Sequence, residues 1–195
     1  MVIAGLATLV SLPIVAQADT YVYNDPDFDF TVSFPDTWRE QSPDTPTTRL
    51  RVFLSEEGPL AGCRVKAEKD GRLLVYPERY MKDAVELVLG EKFWDNELNE
   101  YQEVDVIKTS KPAGLGQGHA VMKHAVYKEN GIRKQGFFLG SIYGDIRYVM
   151  SCSAKASEFP KYAELFGSVM GSMRLKQKYH PVETGFYRDF LSDKD

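Results

Sequence analysis

The sequence predicts an α+β domain built around an antiparallel β-sheet. Residues 119–154 contain three extended segments separated by two tight turn signals, Asn130-Gly131 and Gly144-Asp145. Such dipeptides favour the turns that close β-hairpins, so the three segments are expected to form a meander. Within residues 157–175, apolar residues recur at spacings of three and four, which indicates an amphipathic helix. That helix is expected to lie on the sheet.

Three earlier segments alternate apolar and polar residues, with the period of two that is typical of half-buried strands. They cover residues 28–34, 49–54 and 63–68. Their expected core-facing residues are Phe28, Phe30, Val32, Phe34, Leu50, Val52, Leu54, Cys63, Val65 and Ala67. Trp38 follows a turn at residues 35–37 and is predicted to anchor the core.

A helix is predicted to begin at Pro77, because proline suits a first turn and the apolar period changes there. It is expected to end near Gly90 or to run on to Trp94. Its apolar side consists of Tyr80, Ala84, Leu87 and Val88. A further strand is expected to begin at Val104, and the glycine-rich residues 111–118 are expected to interrupt regular structure.

Residues 157–175 complete the predicted domain. Ser157 is expected to cap the closing helix. The apolar stripe of this helix consists of Phe159, Tyr162, Phe166, Val169 and Met173. Residues 176–195 form a tail that is expected either to pack on the domain or to dock a partner. The tail's aromatic residues are Tyr179, Phe186, Tyr187 and Phe190.

Residues 1–18 carry no charged side chain and end in Ala16-Gln17-Ala18, which predicts a secretory signal peptide cleaved before Asp19. A membrane anchor is the alternative, but Pro13 interrupts an apolar run that is shorter than the roughly 20 residues needed to span a bilayer. We therefore expect one domain, residues 19–175, in the periplasm or elsewhere outside the cytoplasm.

The composition excludes two classes of protein. Lys and Arg number 24 and Asp and Glu 28, for a net charge of −4, whereas nucleic-acid-binding domains favour a clustered basic face. A hydrophobic content of 43% is typical of a packed domain rather than a disordered linker. We expect a monomer without a cofactor, whose partner is an unidentified envelope protein or a small ligand.

Residues 30–38, Phe-Thr-Val-Ser-Phe-Pro-Asp-Thr-Trp, resemble the opening motif of the PsbP/Mog1-like superfamily and its exported domain-of-unknown-function 1795 and DcrB-type members. Residues 136–154 and the closing helix through residue 174 carry the same likeness. The resemblance implies an antiparallel sheet of about six or seven strands between helices, an α/β/α sandwich. It also implies work as an accessory subunit, assembly factor, chaperone or binding module, with no shared catalytic residues.

Cys63 and Cys152 are the only cysteines, and both fall on the predicted core-facing sides of strands. An even count in an exported protein favours a disulfide. Two buried thiols in separate parts of the sheet are the alternative.

A small hydrolase or thiol enzyme is the enzymatic alternative, because His119 and His124 accompany the cysteines. A nucleophilic cysteine requires an exposed thiolate of low pKa beside a base. No nucleophile motif surrounds either cysteine, and the two histidines fall on opposite faces of a predicted strand. We therefore predict no catalytic residue.

Gly114, Gly116 and Gly118 resemble a phosphate-binding loop. A strand rather than a helix is expected to follow them, so no helix N-terminus would hold the phosphate. The glycines therefore predict a turn.

Asp25, Asp27 and Asp29 alternate as in a calcium-binding loop, and Asp36 falls at the twelfth position. The sixth position is Phe30, where the sharp turn of such a loop requires glycine. We therefore predict a solvated strand face and no metal site.

The leading hypothesis is an exported, non-enzymatic binding or accessory module of the cell envelope. Its working surface is expected to be a concave sheet edge or the loops around residues 114–118. Beside the enzyme, an immunity or chaperone protein for a cognate effector is the other alternative.

Overall fold

The computed structural model of the protein describes residues 19–54, 60–75, 80–115 and 118–176. Within these ranges the chain forms two antiparallel sheets and three α-helices. The predicted signal peptide, Pro77, Gly116 and the tail beyond residue 176 lie outside the described residues.

The strands follow one another along most of the chain. In chain order they are Thr20–Asp25 (β1), Phe30–Pro35 (β2), Trp38–Glu40 (β3), Thr48–Leu54 (β4), Gly62–Lys69 (β5), Gln102–Leu115 (β6), Gly118–Glu129 (β7), Ile132–Tyr143 (β8), Ile146–Lys155 (β9) and Arg174–Leu175 (β10). The helices are Met81–Val88 (α1), Glu91–Leu98 (α2) and Phe159–Gly171 (α3). The described strands make a seven-stranded sheet ordered β3-β4-β5-β9-β8-β7-β6 and a smaller sheet ordered β1-β2-β10.

The two faces of the larger sheet bury different clusters, because successive strand residues point to opposite faces. On one face, α3 and the smaller sheet enclose a core that includes Phe34, Trp38 and Phe166. On the other face, α1 and α2 enclose a second core around Trp94 and Phe138. The predicted α+β class is confirmed, with helices on both sides of an antiparallel sheet.

The motif at residues 30–38 joins the two sheets. Phe30, Val32 and Phe34 are buried in β2 of the smaller sheet, and a short turn leads to β3 of the larger one. Trp38 is 5% exposed and lies against the rings of Phe34 and Phe166, as expected of a core anchor. Phe28, predicted within the strand, lies in the turn that precedes β2.

The predicted meander is confirmed as β7, β8 and β9. Asn130 and Gly131 both have positive φ, 50° and 79°, where β7 turns into β8. Gly144 has φ 59° in the next turn. Asparagine and glycine tolerate this region, which is why these dipeptides predicted the hairpins.

The prediction that residues 111–118 interrupt regular structure is wrong for most of that segment. Strand β6 continues through Pro112 to Leu115 and pairs with β7, with register shifts between Ser110 and Ala113. A proline in the middle of a sheet removes a hydrogen bond, but β6 is an edge strand and needs partners on one side only.

The first predicted helix is two helices. The chain leaves helical geometry at Gly90, whose ψ is −175°, and α2 then carries Trp94 into the core. Leu87 was predicted to face the core but is 73% exposed. The buried positions are Ala84, Val85 and Leu89, because α1 is rotated relative to the predicted stripe.

The closing helix begins later than predicted. Glu158 rather than Ser157 occupies the N-cap, and it makes no side-chain capping bond. Pro160, in the first turn of α3, has no backbone N–H group. The helix start therefore has one fewer donor for a capping side chain to satisfy. Met173 lies after the end of α3 but is fully buried, as its place in the predicted stripe required.

Candidate functional site

A polar groove lies on the face of the larger sheet opposite α3. Strands β4, β5 and β9 alternate so that Leu50, Val65 and Met150 point to the α3 side, whereas Arg51, Arg64 and Ser151 point into this groove. We call it the polar groove. Its lining residues are Gln41, Arg51, Val52, Phe53, Gly62, Cys63, Arg64, Tyr101, Tyr127, Glu129, Lys134, Ser151 and Ser153.

Two positively charged arginines lie next to each other in the groove. Arg51 of β4 and Arg64 of β5 are direct cross-strand partners. The carboxylate of Asp44, in the segment before β4, lies between them. Its Oδ2 is 3.2 Å from Nη1 of Arg51 and 3.6 Å from Nη1 of Arg64. Asp44 therefore compensates a pair whose like charges would otherwise repel.

The ionisation of Asp44 follows from these contacts. Partial burial raises its pKa, but a hydrogen bond from the Thr48 hydroxyl and the charges of Arg51 and Arg64 outweigh burial and lower the pKa below its ordinary value. The Thr48 Oγ1 to Asp44 Oδ1 distance is 2.7 Å. Asp44 is therefore a carboxylate throughout the neutral range.

Arg64 is the centre of an ion-pair network. Its side chain is only 14% exposed, and it donates hydrogen bonds to the carboxylate of Glu100 and, at 2.6 Å, to the Tyr101 hydroxyl. Lys66, on the same face of β5, binds Glu97 at 2.7 Å and Glu100 at 3.2 Å. Burial lowers the pKa of Arg64, but its interactions with Tyr101 and Glu100 reverse this effect and raise it.

The far side of the groove combines a buried lysine with two tyrosines. Lys134 of β8 is 6% exposed and pairs with Glu129 of β7. Burial raises the pKa of both Tyr101 and Tyr127 above the ordinary value. The two phenols therefore stay protonated at neutral pH and can donate hydrogen bonds.

The groove encloses little space, about 70 Å³. Pockets for drug-sized molecules usually measure about 300–1,000 Å³. This space suits one side-chain group of a larger partner, and its arginines, lysine and phenols favour an anionic or strongly polar group.

The sequence predictions did not single out this groove. The alternation in residues 49–54 and 63–68 places Arg51 and Arg64 only among the polar residues opposite the core-facing ones. The signal that could have found the site is the repetition of cations on one face of both hairpin arms, Arg51 on the first and Arg64 and Lys66 on the second.

The structure joins Cys63 and Cys152 in a disulfide on the opposite face of the same strands. The two residues are direct partners in the β5–β9 pair, with Cα atoms 4.0 Å apart, and both are buried. A sulfur in a disulfide is not a thiolate, so neither cysteine is a nucleophile in this state.

The histidines do not meet the cysteines. His124 lies on the α3 face of β7, hydrogen-bonded to Gln135 at 2.8 Å and stacked on Phe159. Phe137 of β8 stands between His124 and Cys152 in the same cross-strand row. Burial and the charge of Lys108 lower the pKa of His124. His119 points to the other face and is exposed.

Two of the three glycines that resemble a phosphate loop, Gly114 and Gly118, lie in the paired strands β6 and β7. Gly114 is in β6 and Gly118 begins β7, so a strand follows them as predicted. A Cβ added at Gly118 would lie 2.8 Å from the Ser141 hydroxyl oxygen, which explains the glycine by close packing.

The prediction of a solvated face for the aspartates is wrong for Asp25, which is buried. Its Oδ1 accepts the backbone N–H groups of Asp27 and Phe28, and its Oδ2 accepts Nε of Arg49 at 2.8 Å. Asp25 thus fixes the β1–β2 turn and binds Arg49.

In the described ranges, no group of three or more His, Cys, Asp or Glu residues is placed to hold a metal ion. None of the helices in these ranges has the length and apolarity to cross a bilayer.

The sequence matches no protein-family model and no curated protein. The fold does resemble solved structures. The solution structure of cyanobacterial PsbP (CyanoP) from Synechocystis sp. PCC 6803 superposes with a TM-score of 0.57 at 11% identity, covering 86% of this chain and 98% of that one. The finer domain-of-unknown-function 1795 or DcrB-type assignment stays a prediction.

A second similar structure is LpqN of Mycobacterium tuberculosis, described as involved in cell envelope biogenesis. It has a TM-score of 0.54 at 13% identity, and the match covers 82% of this chain and 91% of that one. At these identities the likeness concerns the fold alone. The described chain therefore has a PsbP-like fold.

Proposed function

We propose that the protein is a non-enzymatic binding or accessory module that works outside the cytoplasm, and that the polar groove is its binding surface. The observation that carries the proposal is the set of largely buried charges in the groove. The two similar structures, a PsbP protein and an envelope-biogenesis protein, are consistent with accessory work.

Largely buried charges such as those in the groove add little to the stability of a sheet face. Taking ions out of water costs free energy, and apolar residues in the same positions often give equal or greater stability. The chain nevertheless places Arg51, Arg64, Lys66 and Lys134 on one face of the larger sheet, in β4, β5 and β8. Such an arrangement supports recognition of a partner rather than packing.

An extracytoplasmic location is supported by three observations. The sequence predicts a signal peptide, the Cys63–Cys152 disulfide suits an oxidising compartment, and one similar structure is described as involved in cell envelope biogenesis. We propose that the exported chain acts as a monomer. A thiol enzyme is less well supported, because the disulfide occupies both sulfurs.

Site-directed photo-crosslinking in cells that produce the protein tests the proposal. A crosslinking amino acid replaces Gln41, an exposed residue at the groove, or Glu164, an exposed residue of α3 on the opposite side. We expect a discrete crosslinked partner from position 41 and none from position 164. Equal products from both positions, or none from either in well-expressed protein, would show that the groove is not the binding surface.

A further inference from the structure

We infer that the groove recognises an acidic segment of a partner protein and that the Arg51–Arg64 pair anchors one carboxylate of that segment. This inference rests on the proposed function, because it names the chemistry of the same surface. Within the protein, the carboxylate of Asp44 already contacts both arginines, as we expect the partner's carboxylate to do.

The floor of the groove carries cations where the strands lie side by side. Arg51 and Arg64 are paired across β4 and β5, and Lys66 lies two residues along β5 on the same face. The next strand, β9, adds only the neutral hydroxyls of Ser151 and Ser153 to the groove. Like charges placed directly opposite each other destabilise a sheet, so this floor requires anions above it.

Those anions come from segments that lie over the floor rather than from β4, β5 or β9. Glu97 belongs to α2, Glu100 follows α2, and Asp44 belongs to the segment between β3 and β4. Carboxylates of the protein itself thus pair with the arginines. A partner segment with the same chemistry could make the same contacts.

Asp44 is the one of these three carboxylates that neither belongs to a helix nor directly follows one. It lies in a segment without helix or strand geometry, and about a third of its side chain, 32%, is exposed. Its contacts with Arg51 and Arg64, at 3.2 and 3.6 Å, are longer than the 2.6 Å contact of Arg64 with Tyr101, and its 2.7 Å bond is to the uncharged Thr48 hydroxyl. An incoming carboxylate can therefore displace Asp44 while Glu100 and Tyr101 continue to hold Arg64.

The dimensions of the groove favour a protein segment over a small free acid. Its space of about 70 Å³ accommodates a carboxylate group but not a drug-sized molecule. At the edge of this space lies the exposed side chain of Gln41, which can hydrogen-bond to a peptide. Arginine is also among the residues most enriched at protein interface hot spots.

The test uses fluorescein-labelled hexaglutamate as the probe, hexaglutamine as the uncharged control, and fluorescence anisotropy at low salt. Asp44→Asn removes the internal competitor. Its matched control is Asp70→Asn, because Asp70 also pairs with an arginine, Arg72, but away from the groove. We expect Asp44→Asn to bind hexaglutamate more tightly than the wild type or Asp70→Asn, by up to about fivefold, since an exposed charged pair contributes at most about that factor.

The second variant removes the anchor. Arg51→Gln, made in the Asp44→Asn background, is expected to abolish the gain, whereas Arg72→Gln in the same background is expected to keep it. Arg51 serves better than Arg64 because its side chain is 31% exposed and its loss threatens folding less. Circular dichroism and thermal unfolding verify that each variant is folded.

Three results would overturn the inference. Equal affinities of Asp44→Asn and Asp70→Asn would show that the arginine pair does not select carboxylates. Retained binding in the Arg51→Gln variant would place the contact elsewhere. Competition by free glutamate at the same concentration as the peptide would point to a small carboxylic acid instead. If the inference fails while Gln41 still crosslinks to a partner, the proposed function stands; if both fail, the groove is not the working surface.

Discussion

The hydroxyl of Tyr148 donates a hydrogen bond to the backbone carbonyl oxygen of Phe28 at a distance of 2.8 Å. Tyr148 is in β9 of the larger sheet, and Phe28 is in the turn that precedes β2 of the smaller sheet. This partly buried bond therefore connects the two sheets.

Replacing Tyr148 by Phe tests that connection. The variant leaves the Phe28 carbonyl without its donor, and we expect it to lower the free energy of unfolding by about 1–3 kcal/mol. Urea denaturation measures the change. Tyr21→Phe is the control, because Tyr21 is half exposed, and it should change stability very little. Equal effects of the two substitutions would show that the hydroxyl contributes no specific bond.

Trp38→Ala is expected to lower the free energy of unfolding by about 3–5 kcal/mol, the range for a buried large aromatic side chain. The ring fills the space between Phe34 and Phe166, at centroid distances of 6.2 and 6.4 Å. Leu87→Ala provides the comparison, because that large apolar side chain is exposed and its loss should cost under about 0.5 kcal/mol. A loss at Trp38 as small as that at Leu87 would contradict the core assignment.

The disulfide predicts both a chemical and a thermodynamic result. Denatured protein without reductant should show no alkylatable thiol, and reduced protein should show two. The double substitution Cys63→Ala and Cys152→Ala opens a link between residues separated by 89 positions, so we expect a loss of about 4–5 kcal/mol on the chain-entropy estimate. Two reactive thiols in the unreduced protein would refute the pairing.

Asp44 predicts a pH dependence of stability. Because its pKa is lower in the folded state than in the unfolded chain, its contribution is fully present above the ordinary pKa near about 4 and is lost as the pH falls through the lowered value. The stability difference between the wild type and Asp44→Asn should therefore shrink as the pH falls from about 4 through the lowered pKa. A difference that stays constant over this interval would show that the carboxylate makes no favourable contact.

Local patterns sufficed for much of the fold. The alternation in residues 49–54 and 63–68 gave the correct buried sides of β4 and β5, and the turn dipeptides gave the meander. These features depend on neighbouring residues only. The course of β6 through Pro112 could not be predicted in this way, because a proline is tolerated there only through the position of the strand at the sheet edge.

The groove depends on information that is not local. Arg51 and Arg64 share a hairpin, so their proximity could be inferred, but Asp44, Glu100 and Lys134 reach the same place only through tertiary structure. Leu87 illustrates the same limit. Its spacing fits the apolar side of α1, but the packing of α1 against β7 and β8 buries Val85 and Leu89 instead.

The β5–β9 pair has a consequence for how the sheet is assembled. On one side of this pair lie β3, β4 and β5, which the chain makes early, and on the other lies the continuous run from β6 to β9. Within each group the strands pair through short connections. The β5–β9 seam between the groups instead requires contacts between residues that are far apart in the sequence, and such contacts form slowly during folding. Since Cys63 and Cys152 face each other across that seam, oxidation can fix it only after the two groups have found their common register.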